Sequence, residues 1–132
     1  MEHKFNVELA KLYGVEEAII IDNIYFWIAK NVANEKHKHD GRYWTYNSAK
    51  AFSELFPYMN EKKIYRVFKN LIDGDFLICG NFSDNKYDRT KWYSFSDSAI
   101  EILREQNYDT YGFADDGQNV QMHFPKTGNG IP

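Results

Sequence analysis

Apolar positions along the chain recur at two spacings, and these predict the elements. In residues 15–36, VEEAIIIDNIYFWIAKNVANEK, the residues Ala18, Ile21, Ile24, Tyr25, Ile28 and Val32 form one helical stripe. Ile19, Ile20, Phe26 and Trp27 widen it well beyond one face. The spacing predicts a long helix buried on more than one side, either the central strut of a domain or a helix that also packs on another subunit. Glu16 and Glu17 fall in its first turn, where carboxylates complement the helix dipole. Before it, Val7, Leu9, Ala10, Leu12 and Tyr13 predict a short helix that Gly14 stops. Asp40-Gly41 signals a turn, and the β-formers of RYWTY predict a short strand from Tyr43 to Tyr46. Asn47 or Ser48 caps a next helix in which Ala49, Phe52, Leu55 and Phe56 repeat at helical spacing until Pro57.

The stretch NEKKIYRVFKNLIDGD, residues 60–75, has the clearest pattern. Ile64, Val67, Phe68, Leu71 and Ile72 follow i, i+3, i+4, i+7, i+8, with Asn60 as N-cap and Gly74 as a left-handed stop. DFLICGNF and TKWYSFS then read as strands around the polar tip SDNKYDR, which makes a hairpin. Ser96-Asp97-Ser98 is a cap signal for a last short helix, AIEILREQ. From Tyr108 onward the chain is rich in Gly, Asn and Asp without period, which predicts a poorly ordered tail or linker over 108–132.

Helix, short strand, helix, tight turn, helix, hairpin is the order of a winged helix-turn-helix. The expected fold class is therefore α+β, mainly α: a winged helix-turn-helix with an N-terminal helical extension and a small antiparallel sheet, over residues 1–107. In such domains the second helix of the turn motif enters the major groove, and the hairpin tip reaches adjacent backbone or minor groove.

Composition sharpens this picture. The 132 residues are 43% hydrophobic and 17% aromatic, enough for one packed domain. A single cysteine, Cys79, excludes an internal disulfide framework and fits a reducing cytoplasm; it lies in an apolar run and reads as core. No apolar stretch approaches a membrane helix, and MEHKFNVELA lacks the order of a signal peptide. The net charge of -3 conceals a distribution. Residues 36–91 hold eleven Lys/Arg against seven Asp/Glu, net +4, whereas 1–35 carry -3 and 92–132 carry -4. A basic middle between acidic ends points weakly to an anionic partner.

The basic residues concentrate on the two elements that such a fold presents to DNA. Lys62, Lys63, Arg66, Lys69 and Asn70 lie off the apolar stripe of the helix at 60–73, with Asn60 at its start. In a wing at 82–91, Asn85, Lys86 and Arg89 supply a second set. Arg66 suits a guanine edge and Asn70 an adenine edge. Against this stands the ordinary solvated helix face, and Asp84 and Asp88 dilute the wing's charge. Trp27, Trp44 and Trp92 read as core. The pair His37 and His39 lacks further ligands nearby to complete a metal shell. No phosphate-binding glycine loop or HExxH motif is present, and no nucleophile with converging partners, so neither an enzyme, a cofactor nor a metal site is expected.

Four blocks, AIIIDNIYFWIAKN, HDGRYWTYNS, LFPYMNEKKIYRVFKNL and YDRTKWYSF, together resemble the N-terminal winged-helix domain of replication proteins from phages and mobile elements of low-GC Gram-positive bacteria. These are of the replisome-organiser type and more distantly DnaD-like. The similarity spans about Phe5 to Phe95, and MHFPKTGNGIP looks like the linker that follows such domains. The resemblance implies double-stranded DNA binding near an origin and self-association, as a homodimer or larger assembly, through the N-terminal helices. It also implies a separate part that recruits a helicase or its loader. Two other readings of the same residues are a protein-interaction module of a replication complex that never touches DNA, and a transcriptional regulator.

Overall fold

The structure, a computed structural model, describes residues 1–115. Helix α1 spans Val7–Tyr13 and α2 spans Val15–Asn34, joined by Gly14 at φ +114°. That backbone angle strains any residue with a Cβ, which would also meet the Glu17 carboxylate there, so the position favours glycine. Helix α2 is the expected strut. Ile20, Ile21, Ile24 and Ile28 are fully buried along it, and α1, a later helix and the sheet strands all pack against it. The widened stripe is only partly used. Phe26 and Trp27 remain 55% and 38% exposed, so Trp27 is not core as expected.

Strands β1 (Lys38–His39) and β2 (Arg42–Tyr43) form a hairpin across Asp40 and Gly41, whose φ values of 54° and 78° match the twist of the flanking strands. Strand β3 is Thr45–Tyr46. The single strand expected from Tyr43 to Tyr46 is therefore split at Trp44, for a visible reason. The Trp44 backbone N–H donates to the His37 carbonyl at 3.0 Å, and its indole N–H donates to the His39 carbonyl at 2.8 Å. Its own carbonyl accepts from the buried Asn31 amide at 2.8 Å. The ring is 4% exposed, and the chain changes pairing partners around it.

Helix α3 (Ala49–Leu55) is capped by Ser48, whose hydroxyl accepts from the Ala51 N–H. Helix α4 (Glu61–Asp73) is capped by Asn60, whose side chain accepts from the Lys63 N–H at 2.8 Å. Ile64, Val67, Phe68 and Leu71 are its buried face, as their spacing predicts. Its stop differs from expectation. Gly74 has φ -82°, and Asp75 is the left-handed residue at φ 60°. The Phe76 N–H then closes the helix onto the Leu71 carbonyl at 2.9 Å, the six-to-one bond of a Schellman end, which shifts the left-handed position one residue on. Asp75 tolerates that conformation, and its carbonyl accepts from the Ser96 hydroxyl at 2.6 Å.

Strands β4 (Leu77–Gly80) and β5 (Trp92–Phe95) complete an antiparallel sheet in the order β3-β5-β4, with Thr45 opposite Tyr93 and Leu77 opposite Phe95. Helix α5 spans Asp97–Glu105 from a Ser96 cap. From α2 to β5 the order is that of a winged helix-turn-helix, with α1 as the N-terminal extension. Cys79 is exposed rather than core, because β4 leaves the packed face after Leu77 as it runs out to the wing.

The described part of the expected tail, 108–115, packs on the domain. The Tyr108 hydroxyl donates to Asp22, and the Tyr25 hydroxyl donates to the Asp109 carbonyl. Phe113 and Ala114 join the core, and Ala114 bridges Arg42 in antiparallel fashion. These apolar anchors lie five and six residues beyond Tyr108, a pattern too short and irregular to register as an element. Residues 116–132 lie outside the described residues. Among the described residues, no helix is long and apolar enough to cross a membrane.

Truncating either buried aromatic tests this arrangement. Trp44→Ala and Phe113→Ala should each lower unfolding free energy by ~3–5 kcal/mol in urea titrations followed by circular dichroism. A Phe113→Ala midpoint equal to that of the parent would return residues 108–115 to the status of a tail.

Candidate nucleic-acid interface

The charged residues of α4 divide by where the helix meets α2. Lys63 and Asn70 sit on the flank that faces the N-terminus of α2. The Lys63 ammonium reaches Glu16 at 2.9 Å, and the Asn70 amide donates to Glu17 at 2.9 Å. Glu17 is 7% exposed, and a buried carboxylate requires a donor, so this amide is committed to holding the two helices together. The side-chain oxygen of Asn60 is likewise committed to the cap. Three of the residues expected to face DNA thus have internal work.

Lys62, Arg66 and Lys69 are exposed on the outer face of α4. Lys69 reaches Asp73 at 2.6 Å one turn along, a solvated pair that is readily exchanged. Lys62 and Arg66 have no acidic partner among the described residues. The contrast among arginines is the sharpest electrostatic feature. Arg42 is held by Asp97 at 2.6 Å and Arg104 by Glu101 at 3.1 Å, each on the body of the domain. Arg66 on α4 and Arg89 on the wing have no carboxylate within reach among the described residues. In a chain with more acids than bases, the guanidinium groups without a carboxylate partner among the described residues stand on α4 and the wing.

The wing is the loop between β4 and β5, residues 81–91. It is braced by successive side-chain turns. Asn81 accepts from the Ser83 N–H at 3.0 Å, Ser83 from the Asn85 N–H at 3.1 Å, and Asn85 from the Tyr87 N–H at 2.9 Å. Asp88 accepts from both the hydroxyl and the N–H of Thr90, at 2.7 and 2.9 Å; these bonds hold its carboxyl below the usual range. The tip is thereby shaped without regular strand pairing. Asn85 spends its oxygen on this bracing, whereas Lys86, lying over the Tyr87 ring at 5.3 Å, and Arg89 remain exposed. Lys91, which the sequence reading passes over, also lacks an acidic partner among the described residues. Its signal is present in the sequence, since Arg89 and Lys91 alternate just before β5 and a period of two puts both on one side.

His37 and His39 serve packing. His39 stacks on Phe82 with centroids 4.5 Å apart, and His37 meets Tyr46 and Trp92 edge-on at 5.4 and 5.2 Å. Burial first, then the charges of His39 and Lys36, push the His37 imidazole below its ordinary pKa, so it stays neutral within this aromatic cluster. Among the described residues no group of three metal-ligating side chains converges.

Between α3, α4 and the wing lies a groove of about 670 Å³, floored by Phe52, Phe68 and Tyr93 and rimmed by Tyr46, Tyr65, Arg89 and Lys91. Burial pushes the Tyr93 hydroxyl up to about 12, so it remains a proton donor at neutral pH.

No family model, curated protein or solved structure matches the chain. The class of the molecule therefore rests on its fold and on the placement of its charges: a winged helix-turn-helix whose unpaired guanidinium groups stand on the turn motif's second helix and on its wing.

The commitment of Asn70 has a measurable consequence. Asn70→Ala should cost ~1–3 kcal/mol of stability by leaving the Glu17 carboxylate without its donor. Lys62→Ala, in the same helix but free, should change stability by less than ~0.5 kcal/mol in the same urea titration.

Proposed function

We propose that this protein binds double-stranded DNA, with α4 in the major groove and the wing on the adjacent backbone. The observation that carries the reading is the pairing pattern of the arginines. The two on the body have carboxylates, and the two on α4 and the wing have none among the described residues. Lys62 and Lys69 on α4 and Lys86 and Lys91 on the wing extend the same face. Arg66 is the residue with reach and freedom for a bidentate bond to guanine; Asn70 is assigned to the fold instead of to base reading. The resemblance of the four sequence blocks supports a place in replication initiation of a phage or mobile element.

A second surface favours binding of a protein in addition to DNA. Val7, Leu12, Val15 and Phe26 are each half or more exposed on α1 and α2. This is the face through which the chain would assemble with itself or with a helicase-loading protein. Sedimentation velocity should show self-association that Phe26→Asp abolishes. A parent that remains monomeric at about 100 μM would remove the homo-oligomer from the proposal.

For DNA, fluorescence anisotropy with mixed-sequence duplex across a salt series is the direct test. Affinity should fall steeply with salt. Arg66→Ala combined with Arg89→Ala should flatten the logarithmic slope by about 2, roughly 0.9 for each phosphate left without its cation, with the fold intact. A folded parent that leaves duplex free at low salt would reject the DNA reading and leave the interaction-module reading in its place.

A further inference from the structure

The groove between α4 and the wing is the wrong shape for a DNA backbone alone. A phosphate ridge needs cations on an open surface, and this groove is a recess of about 670 Å³ with an aromatic floor. That volume lies within the range of roughly 300–1,000 Å³ typical of sites for small organic groups. Its chemistry is mixed in a particular way. Phe52 and Phe68 offer apolar ring surface from below. Tyr46 and Tyr65 stand on the rim, 45% and 58% exposed, and Tyr46 is held upright against Trp92 at 4.3 Å.

A polar group waits in the floor. Tyr93 is only 7% exposed and its ring stacks on Phe68 at 4.5 Å, yet its hydroxyl has no hydrogen-bond partner among the described residues. The ring accounts for that burial; the hydroxyl oxygen itself is not enclosed and opens onto the groove. Asn47 lies on the same rim with its side-chain amide unbonded among the described residues. Arg89 and Lys91 bring positive charge to the mouth, and the one acid there, Asp88, is turned back onto Thr90. Aromatic faces, an unpaired hydroxyl and amide, and an adjacent cationic pair together suit a planar heterocycle joined to a phosphate.

We propose that this groove seats a single unpaired nucleobase of a DNA strand, stacked against Tyr65 and Tyr46, with its edge bonded by the Tyr93 hydroxyl and its phosphate held by Arg89 and Lys91. The inference rests on the DNA reading above and deepens it. The groove adjoins the cationic face of α4 and the wing, so a duplex docked there passes its backbone across the mouth. Extruding a base from an intact duplex is costly, so the site selects DNA in which a base is already unpaired. Stacking of a base on an aromatic side chain is strong enough to make that selection measurable.

The test compares the full chain on a labelled duplex and on the same duplex carrying one unpaired thymidine, by anisotropy at fixed salt. The bulged duplex should bind about tenfold tighter, as expected for one stacked base. Tyr65→Ala and Tyr93→Phe should each reduce the preference towards unity and leave affinity for paired duplex unchanged. Tyr65 is exposed and Tyr93→Phe keeps the ring on Phe68, so both variants should fold. Equal, salt-dependent binding to both duplexes would overturn the base site and leave the DNA reading standing. A bulge preference that survives both variants would assign the effect to DNA bending and overturn the site as well. Micromolar binding of thymidine monophosphate by calorimetry, without any bulge preference, would make the groove a free-nucleotide site and overturn the strand assignment. No binding to either duplex would fail the DNA reading itself.

Discussion

The structure depends on the burial of α2. Four isoleucines on this helix have no exposure, and everything else in the domain is arranged to cover them. Helix α1 folds back across Gly14, α4 packs on one flank, the sheet on another, and the segment after α5 on a third. A helix apolar over so wide an arc needs cover on several sides. That requirement explains why residues 108–115, poor in regular structure, are held to the domain: Phe113 stacks parallel to Phe95 and lies 5.6 Å from Tyr25, closing the arc.

The same helix decides which charges remain available. Its first turn carries Glu16 and Glu17, placed there by the preference of a helix N-terminus for carboxylates. Packing α4 against that turn brings its flank within reach of both acids. Lys63 and Asn70 satisfy them, because a buried or half-buried carboxylate without a donor is costly. The outer face of α4, turned away from α2, keeps Lys62 and Arg66 unspent among the described residues. The cationic surface is thus what remains after the core has taken the polar groups it needs. A similar division holds in the wing, where Asn85 and Asp88 shape the loop and Lys86, Arg89 and Lys91 are left outward.

Several elements are legible in the sequence because their signals are local. The buried face of α4 follows from the spacing of Ile64, Val67, Phe68 and Leu71, and the caps at Asn60, Ser48 and Ser96 follow from residue type. The pairing of the hairpin with the short strand after Trp44 follows from element order. What is not legible depends on distant partners. The strand Tyr43–Tyr46 breaks because Trp44 is bonded by His37, His39 and Asn31, and nothing in RYWTY announces that. Cys79 reads as core because the run around it is apolar, but β4 outruns the layer that would cover it.

The sequence by itself determined the periodic elements, their order and hence a winged helix-turn-helix. It also determined that positive charge gathers in the middle of an acidic chain. These rest on backbone geometry and short-range sterics, which each segment carries with it. The tertiary structure alone decided which of those charged and polar groups are free. A side chain's availability depends on which desolvated partner stands opposite it, and that partner lies tens of residues away: Glu16 for Lys63, Glu17 for Asn70, and Asp97 for Arg42. The groove beside α4 arose in the same way. Phe52, Phe68 and Tyr93 come from three separate elements, and only their packing leaves a recess with an unbonded hydroxyl in its floor.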